Sequence, residues 1–380
     1  MIHKQLLPIF LSLLILLIHG CTSEKQIQNG WENEYLGTTE GLLFYPDNYA
    51  NYWVYTFDPG KWENIGFDIR GSLPNARYMS INLYLHDTQQ SLGSVVDTAL
   101  LLDKDSTYHV TVLPNGSTTE TTNALFFDPE RGRHSLFLRY YDPETPYGQT
   151  ELPTISAFNL TTGERVDLPH LTFNLMSSQF IPRLATQWIA IRNANSPYYL
   201  RGNKALIAYR HSGRGYFPNH DNDYLIVPME KRKKEVAILR FKAPSFASSR
   251  SDSLADMRYW SLAFGSLDTQ NPATLRDKDA KVAEDGFVYV AIGDSLQTRD
   301  STAYNLLPWA VSRKKAVLLY RHLLTASTFE QNIGQIPFFR PKTPQSNEVI
   351  RYMGEFAPQG FVISREAFEE SGFEALRTLN

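Results

Sequence analysis

The densest run of chemistry-bearing side chains in this 380-residue chain is His211-Ser212-Gly213-Arg214-Gly215-Tyr216-Phe217-Pro218-Asn219-His220-Asp221-Asn222-Asp223-Tyr224. Arg214, Asn219, His220, Asp221 and Asn222 could converge there on a polar ligand or an oxygen-coordinated cation. The same Asn and Asp residues also suit a turn whose side chains satisfy their own backbone. His220 and Asp221 as acid and base, with Arg258 to stabilise an anion, would make the minimum of a hydrolase site. No metal signature supports a bound ion, since His211 and His220 stand nine apart and no His-Glu-x-x-His occurs. There is no Gly-x-Ser-x-Gly elbow, phosphate loop or dinucleotide fingerprint, so no cofactor is expected. Aromatic residues make up 13% of the chain. Trp260 and Trp309, with Trp53 and Trp62, would serve either as a stacking platform for flat ligands or as core.

The elements that must position these residues are duplicated. Ala76-Arg77-Tyr78-Met79-Ser80-Ile81 returns as Met257-Arg258-Tyr259-Trp260-Ser261-Leu262. Tyr108 follows Arg77 by 31 residues, and Tyr289 follows Arg258 by 31. Asn123 and Asn305, then Arg139 and Arg321, keep nearly the same spacing. Upstream, Gly66-Phe67-Asp68-Ile69 matches Ile238-Leu239-Arg240-Phe241, and Tyr52-Trp53-Val54 matches Tyr224-Leu225-Ile226. The first-copy counterpart of the polar run, Tyr45-Pro46-Asp47-Asn48-Tyr49-Ala50-Asn51-Tyr52, lacks its histidines and Arg214, which makes the second copy the better candidate for a site.

Both copies read as strands. In Tyr78 to Leu85 the alternation puts Met79, Ile81, Leu83 and Leu85 on one face, with Tyr78, Ser80, Asn82 and Tyr84 on the other. Short apolar runs broken by Pro, Gly, Asn and Asp predict two tandem, internally duplicated antiparallel β-sandwich or jelly-roll-like domains with few helices. A groove is expected between their side-by-side cores. Arg77 and Arg258 need carboxylates; spacing offers Asp97 or Asp105 to the first and Asp279 or Asp285 to the second, each pair closing one end of its own sandwich. The basic run Lys231-Arg232-Lys233-Lys234 reads as a hairpin loop, and Ser248 to Ala255 as an insertion where the first copy has only Pro74-Asn75. Ser364 is placed to cap a short helix that buries Phe368 and Phe373 or Leu376.

The address is written at the start. Lys4 and the apolar run Leu6 to Ile18 make an export signal too short to span a membrane. It ends in Leu17-Ile18-His19-Gly20-Cys21, which resembles a bacterial lipobox with His19 departing from the usual small or apolar residue. Cys21 is the single cysteine, so a disulfide within the chain is excluded and lipidation is its expected use. Thr22 after it leans toward an outer membrane where the host has one. With 37 basic and 40 acidic residues, no global field argues for nucleic acid. The expected layout is signal 1–20, tether 21–30, first β domain 31–155, connecting segment 156–203, second β domain 204–350 and tail 351–380.

The order Asn219-x-Asp221-Asn222-x-Tyr224, Arg258-Tyr259-Trp260-Ser261-Leu262, Asp285-Gly286-x-x-Tyr289 and Asn305-Leu306-Leu307-Pro308-Trp309 resembles exported bacterial proteins with tandem domains of unknown function numbered 1254 and 1214. An Asn-Trp-Leu-Pro segment recurs in that group, and this chain lacks its tryptophan. The resemblance implies paired jelly-roll-like β domains and carries no reaction with it. The expectation for function is therefore a lipid-anchored envelope protein that binds a small molecule or an envelope protein without catalysis. An envelope hydrolase built on His220, Asp221 and Arg258 is the alternative, and partners are the membrane, through the lipid, and no nucleic acid.

Overall fold

The structure, a computed structural model, describes residues 27–36, 46–118, 123–145, 149–173, 205–206, 208–210, 217–230, 233–250, 252, 254–266, 273–296, 304–309, 315–338 and 346–377. The lipobox with Cys21, together with His211 and Arg214, lies outside them. Among the described residues no helix is long and apolar enough to cross a membrane.

Two sandwiches carry the same wiring. The first half contains β1 (Ile27–Gln28), β2 (Trp31–Leu36), β3 (Ala50–Phe57), β4 (Ile65–Ser72), β5 (Ala76–Leu85), β6 (Ser91–Val96), β7 (Thr107–Pro114), β8 (Ala124–Phe127), β9 (His134–Pro143), β10 (Thr154–Asn159) and β11 (Arg165–Val166). The second half contains β12 (Tyr209–Arg210), β13 (Asn222–Glu230), β14 (Glu235–Lys242), β15 (Met257–Ser266), β16 (Ala273–Arg276), β17 (Phe287–Gly293), β18 (Tyr304–Pro308), β19 (Lys315–Thr325) and β20 (Gln359–Ser364). One sheet of each runs β2-β3-β9-β5-β6 or β12-β13-β19-β15-β16, and its mate runs β10-β4-β7-β8 or β20-β14-β17-β18. Strand for strand, these orders are the same. Each half also contains one parallel pair, β7 with β8 and β17 with β18, which the expectation of wholly antiparallel sheets did not include.

Register confirms the duplication residue by residue. Arg139 lies between Tyr52 and Ser80, and Arg321 between Tyr224 and Ser261. Asn123 clamps Leu101 through both backbone groups, as Asn305 clamps Lys281. The clamps correct one equivalence. Tyr108 corresponds to Val288, not Tyr289, because the β5–β6 pair carries a register shift between Leu83 and Tyr84 that β15–β16 lacks. A one-residue slip turns a side chain to the opposite face. Tyr108 accordingly enters the first core, whereas Tyr289 packs outside the second sandwich against Phe373. Likewise Gly66–Ile69 aligns with Val236–Leu239, a two-residue slip that preserves the face.

Alternation in β5 puts Met79, Ile81 and Leu83 into the first core with Trp53 and Leu138. The residues between them, Tyr78, Ser80, Asn82 and Tyr84, are buried as well. Outer faces of the two β3-type sheets are turned toward the other half, so Tyr52, Tyr78 and Tyr141 pack with Tyr259 and Leu323. A filled interface replaces the expected groove at this point. The basic run is not a hairpin, because β13 and β14 belong to different sheets. The tail supplies more than a helix: β20 pairs with β14 and extends the second sheet. Three helices, α1 (Ser346–Met353), α2 (Arg365–Ser371) and α3 (Glu374–Arg377), flank it. Ser364 accepts from the Ala367 amide at the start of α2, and Phe368, Phe373 and Leu376 are buried against Val236 and Ile238.

Candidate functional site

The charged residues that the sequence marks as paired within each copy are paired between copies. Arg77 donates to both carboxylate oxygens of Asp277, at 2.6 and 2.8 Å, and to the Arg258 carbonyl at 2.5 Å. In return Arg258 donates to the Arg77 carbonyl at 2.7 Å and to Asp97 at 3.4 Å. Asp97 and Asp277 are themselves equivalent, each accepting from the backbone amide of Met79 or Trp260. The arrangement is a crossed handshake about a local two-fold axis. It corrects the expectation of ion pairs closing each sandwich separately: Asp105, Asp279 and Asp285 do not pair with either arginine. The insertion adds Arg250, whose Nε lies 3.2 Å from Asp97 and whose Nη2 donates to the Pro74 carbonyl. Burial pushes the pKa of Asp97 and Asp277 up against the pull of these arginines.

A second ring of polar contacts surrounds the handshake, and here the halves differ. Asp47, five residues before Tyr52, inserts into the second half and accepts from Arg321, from the Ser261 hydroxyl at 2.6 Å and from the Tyr259 hydroxyl at 2.9 Å. Five residues before Tyr224 the chain has Asn219 instead of an aspartate. Asn219 faces the equivalent Tyr78, whose hydroxyl also donates to Asp221 at 2.5 Å. Arg139, the counterpart of Arg321, makes no ion pair with a carboxylate among the described residues. It donates to the side-chain oxygen of Asn82 and, at 2.8 Å, to the Phe217 carbonyl. The rings of Phe137, Tyr84 and Tyr52 lie 5.1, 5.6 and 6.0 Å from its guanidinium carbon. Asn82, where the second half has Ala263, also accepts from Ser80 at 2.9 Å, and its buried Nδ2 has no partner.

The backbone bends to reach this arginine. Phe217 has φ of 43°, in the left-handed region that a bulky residue avoids, and that turn aims its carbonyl at Arg139. Its ring stacks on Phe137 at 4.5 Å and meets Tyr84 edge-on at 5.3 Å, with Phe173 beside it. Burial raises the Asp221 pKa, opposed by the Tyr78 hydrogen bond and by Arg139.

Of the residues singled out from sequence, Asn219, Asp221 and Asn222 therefore come together over Tyr78 and Tyr141, while His220 points to solvent. Arg258 is committed to the handshake, and no hydrogen bond or ion pair links it to His220 or Asp221. Trp260 and Trp309 are core residues, not a platform: Trp260 donates to the Pro244 carbonyl and Trp309 packs on Phe264. Asp47, Asn82 and Arg139 were missed as site residues. The signal available for them was the Asp-to-Asn change at one position of an otherwise matched repeat. Among the described residues no cluster of His, Cys, Asp and Glu could hold a metal.

Neither the known protein families nor the curated proteins contain a match to the sequence. Among solved structures, an uncharacterised protein from Burkholderia cenocepacia is similar over 90% of this chain and 83% of its own, at 13% identity and a TM-score of 0.57. The VPA0106 protein from Vibrio parahaemolyticus is similar over 87% and 91%, at 10% identity and a TM-score of 0.42. The likeness to the Burkholderia protein is one of fold.

Proposed function

We propose that the protein is a non-enzymatic binding protein, held at the cell envelope by lipid on Cys21, whose ligand is a small molecule received under the Phe217–Asn222 segment. The observation that carries the reading is a buried guanidinium, Arg139, that donates to an amide oxygen and a backbone carbonyl where the matched arginine donates to a carboxylate. Buried charges are ordinarily paired, so a cation left to carbonyls and ring faces favours an incoming partner. A hydrolase is less well supported, because Arg258 is occupied by Asp97 and by two backbone carbonyls and does not meet His220. The anchor rests on the lipobox, and a Cys21→Ser chain that still partitions into detergent with the membrane fraction would remove it.

The test is thermal unfolding of the protein against sugars, organic acids, nucleotides and divalent cations. A ligand specific for the folded state adds about 2.7 kcal/mol at a hundredfold excess over its Kd. One class is expected to raise the midpoint, and replacing Asp221 and Asn222 by alanine to abolish the rise. A flat response across the panel would leave interaction with an envelope protein in place of small-molecule capture.

A further inference from the structure

The repeat supplies its own control for what Arg139 is built to hold. In the second half a guanidinium, a serine hydroxyl and a tyrosine hydroxyl, from Arg321, Ser261 and Tyr259, grip one carboxylate, that of Asp47. The first half keeps the three residue types as Arg139, Ser80 and Tyr78, in the same register on the same strands, but there Tyr78 donates to Asp221 and Ser80 to Asn82. It gives Arg139 no carboxylate and adds a further donor beside it, the unpartnered Nδ2 of Asn82. The orientation of that amide is fixed, because Arg139 and Ser80 both donate to its oxygen. What stands against Arg139 instead is Phe217, whose carbonyl meets the charge and whose ring lies among Phe137, Tyr84 and Phe173. A left-handed φ keeps it there. Phe217 thus combines an oxygen acceptor and an aromatic body in one strained residue.

We propose that Arg139 receives a small monocarboxylate with an aryl or alkyl body, its carboxylate replacing the Phe217 carbonyl and its body replacing the Phe217 ring. The inference rests on the binding reading above and narrows it to one ligand class. A bidentate guanidinium–carboxylate pair is stronger than a bond to a neutral carbonyl, and release of Phe217 relieves its backbone. Asp221 does not compete for the guanidinium, since its carboxylate is bound to Tyr78 and forms no ion pair with Arg139. The apolar surroundings, Val54, Tyr84, Phe137 and Phe173, exclude a strongly hydrated polyanion.

The experiment measures binding of benzoate, phenylacetate and hexanoate to the full chain by calorimetry and thermal unfolding, with benzamide and inorganic phosphate alongside. Carboxylates are expected to bind at least about tenfold more tightly than benzamide, the discrimination of one charge-assisted pair, and phosphate not to bind. Asn219→Asp places a carboxylate at the position matching Asp47, beside Asp221 on Tyr78, and is expected to fold and to abolish carboxylate binding. Asp47→Asn is expected to open a second site at Arg321 and to double the stoichiometry, or to be rescued in stability by benzoate. Equal binding of benzoate and benzamide, or undiminished binding by Asn219→Asp, overturns the proposal. If carboxylates fail while another class in the wider panel shifts the midpoint, this inference falls and the binding reading stands. If nothing shifts, both fall.

Discussion

Two arginines on matching strands, Arg321 and Arg139, are both almost completely buried, and only one has a carboxylate. At Arg321 the charge is paired: Asp47 and Ser261 accept from the guanidinium, and Tyr259 donates to the same Asp47 carboxylate. At Arg139 the guanidinium meets an amide oxygen, a backbone carbonyl and three ring faces, while the matching tyrosine, Tyr78, donates to Asp221. The two halves share a framework of strands and donors and differ in what the buried arginine meets. Structural necessity explains the arginine in both places, since its stem and ring contacts hold the outer face of each sheet. It does not explain why one copy pairs its arginine with an acid and the other does not.

Removing Asp47 should give the largest effect. Asp47→Ala strands Arg321 in a buried site, and breaking a buried pair in this way costs about 3–5 kcal/mol. Asn219→Ala removes only neutral hydrogen bonds, a loss of about 1 kcal/mol. Urea unfolding of the two variants measures the asymmetry directly, and equal losses would break the comparison. Next in size is the handshake. Arg77→Ala should cost about 2–3 kcal/mol, because Asp277 is left buried and unpaired. A double-mutant cycle should give a larger coupling for Arg77 with Asp277, which is bidentate, than for Arg258 with Asp97 at 3.4 Å.

The smallest effect is on pH dependence. Asp97, Asp221 and Asp277 all have raised pKa values, with burial as the leading cause. A carboxyl of this kind binds its proton more tightly in the folded than in the unfolded chain. Its contribution to stability therefore grows as pH falls through the folded pKa, and levels off near the unfolded value of about 3.9. These groups work against acid unfolding, the reverse of depressed carboxylates. Asp221→Asn should flatten the urea midpoint between neutrality and about pH 4, and an unchanged profile would exclude Asp221 from that balance.

Much of the fold was legible in the sequence because strand alternation and turn residues are local signals. Tyr78 to Leu85 and its second copy read correctly as strands with one apolar face, and Ser364 as a cap. What the sequence could not convey is what lies opposite. Alternation separates a polar from an apolar face without saying what the polar one meets, and here it is buried by the other half. Arg77 found its carboxylate 200 positions away, so any search by nearby spacing was bound to offer the wrong acid. The Tyr108–Tyr289 match failed for a subtler reason, since a single extra residue in the β5–β6 pair restores the count and reverses the face. The polar run drew attention to His220, which is exposed, whereas the informative residue was Asn219 read against Asp47.

The long reach of the handshake has a consequence for how the molecule assembles. Contacts that lock the halves join residues 78 to 274 positions apart, while each sandwich is closed mostly by strands of its own. Closing such distant loops is entropically late, so each half is expected to condense separately and to dock afterwards. Interactions absent from the folding nucleus act on the way out of the native state. The interface arginines are then expected to govern how long the finished molecule survives rather than how quickly it forms, so their loss should show in the unfolding rate before it shows in the refolding rate.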